Sequence, residues 1–146
     1  MRSSPIEYLA PVGRILLSLI FLASAANTIM DWQQPAGMMS DHGLPAVHVL
    51  LSVAVALEII GGVAVLLGLF ARFGALALLA FLIPVTVIMH NFWALEEGPE
   101  RMGQMINFMK NVSIMGGVTM VLALGAGPLS IDSMMKPRPK PVAPSP

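Results

Sequence analysis

Three ionisable side chains, Arg14, Glu58 and Lys110, stand inside long apolar runs. A charge at bilayer depth costs at least about 2.5 kcal/mol on insertion scales, so each needs a physical reason to be there. Arg14 lies about one turn inside its run, and a long arginine can snorkel to the headgroups. Glu58 has no such exit. Near the middle of its run, its short side chain must either carry a proton or meet a cation or hydrogen-bond donor. Lys110 is the best placed cation. Ile60-Gly61-Gly62-Val63 recurs as Met115-Gly116-Gly117-Val118, and paired glycines in a membrane helix mark a face where another backbone comes close. Either the two pairs pack on each other, or each accommodates some other helix. If they lie level, Glu58 and Lys110 are roughly 4 to 5 Å apart along the axis, within reach of a lysine stem. A Glu58–Lys110 pair, direct or through water, is therefore expected, serving a ligand or only fixing helix register.

Lys110 belongs to the polar stretch Asn107-Phe108-Met109-Lys110-Asn111, with Ser113 following. Helical spacing puts Asn107, Lys110, Asn111 and Ile114 on one stripe. Such a stripe is costly against lipid, so it should face the bundle interior, level with Asn27 and His90-Asn91. With Glu58 below, these residues are expected to line a polar vestibule open to the outer side. A lone histidine is more often a satisfied interfacial group than a ligand. His48 and His90 sit at exposed levels with no second pair, which argues against a haem between helices. Asp41, His42 and His48 match no established metal-ligand spacing. No phosphate loop, nucleophile elbow or zinc-helix motif occurs, so no metal site is expected and no residue is assigned a catalytic role.

The elements that must position these residues follow from composition. Hydrophobic residues make up 56% of the chain and charged residues 11%, against about 25% charged in ordinary soluble domains. Apolar runs of membrane-crossing length lie at Leu9–Met30, Val47–Phe70, Phe73–His90 and Ile106–Gly125, since about 20 residues span the hydrocarbon core. The fold class is thus all-α, an integral membrane four-helix transmembrane bundle. Residues 1–132 form the membrane domain, and residues 133–146 a Pro-rich, basic, disordered tail. Four spans leave no room for a separate catalytic domain.

The connection Gln33–Pro45 reads as a loop holding one short turn around Met38–His42. The tight connection after Phe70 makes spans two and three antiparallel neighbours, and Pro84 should kink span three. Arg2, Arg14, Arg72, Lys136, Arg138 and Lys140 fall on one side of a four-span protein, whereas Asp31, Asp41, Glu96, Glu97 and Glu100 fall on the other with Arg101. The positive-inside bias places both termini in the cytoplasm. Arg2 and Ala23-Ser24-Ala25 imitate a signal peptide and its cleavage site, but the run continues to Met30 and three more spans follow. Zero net charge argues against nucleic acid. The chain has no cysteine, which excludes disulfide exchange and thiolate metal or iron–sulfur ligation.

Taken in order, several segments carry a family resemblance: Arg14 with its apolar run, Gly43-Leu44-Pro45, Glu58-Ile59-Ile60-Gly61-Gly62, Leu67-Gly68, Arg72, His90-Asn91-Phe92-Trp93 and Met105-Ile106-Asn107-Phe108-Met109-Lys110-Asn111. Over about Pro11 to Asp132 the chain resembles the DoxX family of small bacterial inner-membrane proteins. Asn27 departs from the pattern, because many members carry a lysine near the end of span one. Some members look like subunits of quinone-linked oxidoreductase systems, and others are associated with membrane redox homeostasis. The resemblance therefore implies a multi-pass inner-membrane protein, an accessory subunit in quinone-linked or other membrane redox processes. It would hold no intrinsic cofactor and carry no catalysis of its own. Glu58, Lys110 and the asparagines would address the oxygens of a small lipophilic ligand such as a quinone, with a partner redox protein or a second copy alongside. Two alternatives stay open: a non-catalytic scaffold or assembly factor, and a small-solute carrier built around a protonatable Glu58.

Overall fold

The computed structural model describes residues 8–135. Six helices occupy them: α1 (Leu9–Met30), α2 (Gln33–Asp41), α3 (Val47–Leu67), α4 (Ala71–Met89), α5 (Pro99–Leu124) and α6 (Ile131–Met135), with a 3₁₀ turn at Phe92–Ala94 between α4 and α5. Among the described residues there is no strand. Helices α1, α3, α4 and α5 are long and apolar enough to cross a membrane, so the all-α four-span bundle expected from the sequence is the architecture observed. We call the end carrying the start of α1, the α3–α4 connection and α6 basal, and the opposite end apical. Of the expected tail, residues 133–135 complete α6 and the rest lies outside the described residues.

The first span keeps its expected bounds and runs unbroken through Ala23-Ser24-Ala25. The other boundaries shift for local reasons. Helix α3 stops at Leu67 rather than Phe70 because Gly68 turns left-handed (φ 63°), and the amide of Leu69 then donates to Ala64 O at 3.0 Å, a Schellman closure that satisfies carbonyls left free at a helix end. Helix α4 starts at Ala71 rather than Phe73 because it is capped from far away. The amides of Phe70 and Ala71 donate to Asp132 Oδ1 at 2.7 Å and Oδ2 at 3.0 Å. Helix α4 continues through Pro84. Helix α5 begins at Pro99, well before Ile106, with the proline in its first turn and Glu100 beside it. Proline has no amide to lose there, and an acid favours the helix N-terminus. The region expected to hold one turn is a nine-residue helix, α2. The indole of Trp32 donates to His48 Nδ1 at 3.0 Å, with the two rings nearly parallel, which pins the head of α2 to α3.

The four spans form a ring in chain order. Helix α1 packs on α3, α3 on α4 and α4 on α5, while α5 and α1 touch only over a short stretch. Inward stripes follow helical spacing: Arg14, Ser18, Phe21 and Ala25 on α1, and Leu51, Val55, Glu58, Gly61, Gly62 and Val65 on α3. The core joins Phe21, Val65, Ala75, Leu78, Leu82 and Val118, with Phe21 and Phe81 meeting edge to face across the ring at 6.4 Å.

Small residues let the backbones approach. A Cβ on Gly61 would lie 2.8 Å from Gly74 O and 2.7 Å from Leu78 Cγ, so α3 and α4 touch through bare backbone, the usual device where helices associate without a hydrophobic drive. The two glycine pairs do not pack on each other. Gly62 meets Leu22 of α1, Gly117 meets Leu17 of α1, and Gly116 has nothing within 4 Å. Both pairs instead accommodate α1, and Gly61 accommodates α4 as well, so no shared glycine face brings Glu58 and Lys110 together.

The basal end is tied by charge. Arg14 does not snorkel to the headgroups: it is 5% exposed and donates from Nη1 to Ala126 O at 2.9 Å and from Nη2 to Leu129 O at 2.8 Å. Arg72 donates to Ala123 O at 3.1 Å. The amide of Asp132 donates to Gly68 O at 2.8 Å, completing a knot among α1, the α3–α4 connection and the segment after α5.

Two stability predictions follow from these contacts. Asp132→Ala uncaps α4 and should cost about 1 kcal/mol, up to about 2, whereas Arg14→Met removes the donor from two carbonyls, one of them buried, and should cost more, about 2 to 3 kcal/mol. Thermal unfolding in detergent or nanodiscs ranks them, and Arg14→Met proving the milder would contradict the knot. Gly61→Ala should destabilise the fold by clashing with the α4 backbone. Gly116→Ala, which meets open space, should be neutral or stabilise by about 0.5 to 1 kcal/mol through helix propensity.

Candidate functional site

Glu58 sits on the inward stripe of α3, 2% exposed, because the helical repeat that buries Val55, Gly61 and Gly62 also buries position 58. Its Oε1 has no hydrogen-bond partner within the protein, and the hydroxyl of Ser24 on α1 is the side chain set against its carboxyl group. Glu58 forms part of the wall of a cavity of about 750 Å³ in the apical half of the ring.

Most of the residues singled out in the sequence meet there. Asn27 from α1, His90 from the end of α4, and Lys110 and Asn111 from α5 line the cavity together with Glu58. Asn107 reaches it through its neighbour, accepting a hydrogen bond at Oδ1 from Lys110 Nζ at 3.0 Å. Arg14 stands apart in the basal knot. His90 Nδ1 lies 2.7 Å from Gln104 Oε1 on α5, where the amide oxygen is the acceptor. That bond holds the end of α4 against α5. Below it, Phe92, Trp93 and Phe108 form an edge-to-face cluster with centroids 5.2 to 5.8 Å apart, and this turns Phe108 away from the polar stripe.

The expected Glu58–Lys110 ion pair is not present. Lys110 hydrogen-bonds Asn107, and the ion pair found among the described residues is Arg101 with Glu97, 3.8 Å apart on the surface. Helices α3 and α5 face each other across the ring, so the acid and the base stand on opposite walls of the same cavity. Because α5 starts at Pro99, Lys110 stands about three turns from the start of its helix rather than about one.

Sequence reasoning missed Ser24, Thr28, Asp31 and Gln34, which also line the cavity. The signal was available on α1, where Ser24, Asn27, Thr28 and Asp31 recur at the same helical spacing that marked the polar stripe of α5. Apolar walls from Phe21, Phe81, Leu82 and Ile114 complete the site. It can receive a molecule with apolar faces and present hydrogen-bonding groups to it from three sides. No three of His, Asp and Glu gather as a metal site among the described residues.

Comparison with known proteins identifies the family. The DoxX family model matches residues 9–91, which contain Arg14, Asn27, Glu58 and His90. Inner membrane protein YphA of Escherichia coli strain K12 is 30% identical over 121 residues, covering 83% of this chain and 86% of the relative. Inner membrane protein YqjF of the same organism is 30% identical over 124 residues, covering 85% and 89% respectively. No solved structure matches. A four-span helical bundle with an acid buried on its second span, matched by this family model and by relatives along most of its length, belongs to the DoxX family of membrane proteins.

Proposed function

We propose that this DoxX-family chain is an accessory subunit of the bacterial inner membrane that binds a small, lipophilic, oxygen-bearing ligand of the quinone class in the apical cavity. The observation that carries this reading is the convergence of Glu58, Lys110 and Asn111 on one cavity of about 750 Å³, within the roughly 300 to 1,000 Å³ usual for small-molecule sites. A quinone ring carries carbonyl oxygens at opposite edges and apolar faces between them. Lys110 has two further N–H groups beyond the one given to Asn107, the Asn111 amide can donate, and Glu58 can donate from the opposite wall when it holds a proton. Phe21, Phe81 and Ile114 offer surfaces for the ring faces.

The chain has no cysteine, so a partner protein would supply the redox centre. The relatives' description as inner membrane proteins supports the location. The charge distribution supports both termini in the cytoplasm. Arg14 and Arg72 belong to the basal side, while Asp31, Asp41, Glu96, Glu97 and Glu100 belong, with Arg101, to the apical side, and the sequence after α6 is basic at Lys136, Arg138 and Lys140.

Purification in native lipid with mass spectrometry of extracted small molecules tests the ligand. Wild type should carry a quinone, and Glu58→Gln and Lys110→Met should each retain about tenfold less, a loss of about 1.4 kcal/mol in affinity. No ligand in the wild type, or equal recovery from all three proteins, overturns the reading. Orientation is tested separately in the cysteine-free chain. In intact cells an impermeant maleimide should label Glu97→Cys and spare Met135→Cys, and the reverse pattern would invert the topology.

A further inference from the structure

We infer that the apical cavity takes its ligand sideways from the bilayer, through a seam between α1 and α5, and that the ligand is a membrane-resident amphiphile. Its polar head meets Glu58 and Lys110, and its hydrocarbon tail stays between the two helices. This rests on the cavity being a ligand site and adds a route and a shape to it.

The ring is closed along three of its four helix pairs and unfinished at the fourth. At the basal end α1 and α5 are fastened, with Leu17 within 3.4 Å of where a Cβ on Gly117 would stand and Arg14 bonded to the carbonyls after α5. Higher up the two helices part. Ala23, Ser24 and Asn27 of α1 and Lys110 of α5 line the cavity and are solvent-exposed. With the two helices apart at this level, these residues stand at an opening between them.

That opening lies within two membrane-spanning helices. Asn27 and Lys110 would there face hydrocarbon, which leaves polar groups short of partners. Lys110 has only Asn107 as partner, and Oε1 of Glu58 has none. The lips of the seam are apolar and exposed: Ile20 and Met30 on α1, Ile106 and Met109 on α5. Apolar outside and polar inside is the profile of an amphiphile lying head inward. A partner helix with an apolar face would instead leave Asn27 and Lys110 unanswered. From the apical side the corner between α1 and α2, with Asp31, Gln34 and Pro35, forms part of the cavity wall, and Trp32 ties that corner to His48.

The absence of cysteine allows a direct test in nanodiscs. A nitroxide on Ala23→Cys should collide with dissolved oxygen about tenfold more readily than with a water-soluble nickel chelate. A label reached mainly by the chelate, or shielded from both as under a second copy, overturns the seam whether or not any ligand binds. In parallel, quenching of Trp32 fluorescence in a Trp93→Phe background follows uptake of a decyl-substituted benzoquinone and of the same ring without a tail. Filling the seam with Ala23→Phe should slow uptake of the tailed probe about tenfold more than that of the bare ring. Equal slowing of both probes, or of neither, overturns the route. A wild type that binds neither probe overturns the quinone reading of the preceding section, while the collision ratio still decides the seam.

Discussion

The guanidinium of Arg14 holds two backbone carbonyls more than a hundred residues away, Ala126 O and Leu129 O, and much of the bundle depends on that grip. Carbonyls beyond the end of a helix have no intrahelical partner. The bond to Ala126 O is buried, where water does not compete for the carbonyl. Arg14 supplies the donors, while Asp132 in the same knot supplies acceptors to the first amides of α4. Gly68 is where the two halves of the knot meet. A side chain there would run into Arg14 and Ser130, and the residue's left-handed conformation adds a second reason for glycine.

A ring fastened at one end is free to differ at the other. Backbone contact through Gly61 and Gly74 holds α3 against α4, and Phe21 against Phe81 fills the middle of the ring. Above that aromatic contact no small-residue face draws α1 to α5, and the space between them is the cavity. The inward stripes of α1 and α3 run from the knot through the core into this space, so the same helical repeat that buries Arg14 at the base carries Glu58 inward beneath the apical opening. Structural and candidate ligand-binding residues are thus successive members of the same stripes.

The family match over residues 9–91 stops short of the polar stripe of α5, yet the cavity needs both parts. Glu58 and Asn27 come from the matched region, and Lys110 and Asn111 from beyond it. The two relatives match more than four-fifths of the chain, so the similarity reaches beyond the first three spans.

How much was legible beforehand divides along a physical line. The four spans were legible because length and apolar character are properties of a continuous segment, and the bilayer selects on those alone. The gathering of Asn27, His90, Lys110 and Asn111 at one level was legible too, since depth along a span can be counted in residues. Helix ends were less so. The start of α4 depends on a carboxylate arriving from Asp132, and the start of α5 on a proline cap outside the apolar run. The fate of the charges was not legible at all. Whether Glu58 pairs with Lys110, or Arg14 reaches water, depends on how each helix is rotated and which helices are neighbours in the ring. Contacts such as Gly61 on Gly74 set those quantities, and they exist only once the helices have packed. Segment length and composition set what crosses the membrane and where along each span the polar groups stand; packing set which of them face one another, because facing is a property of pairs of helices and not of any one segment.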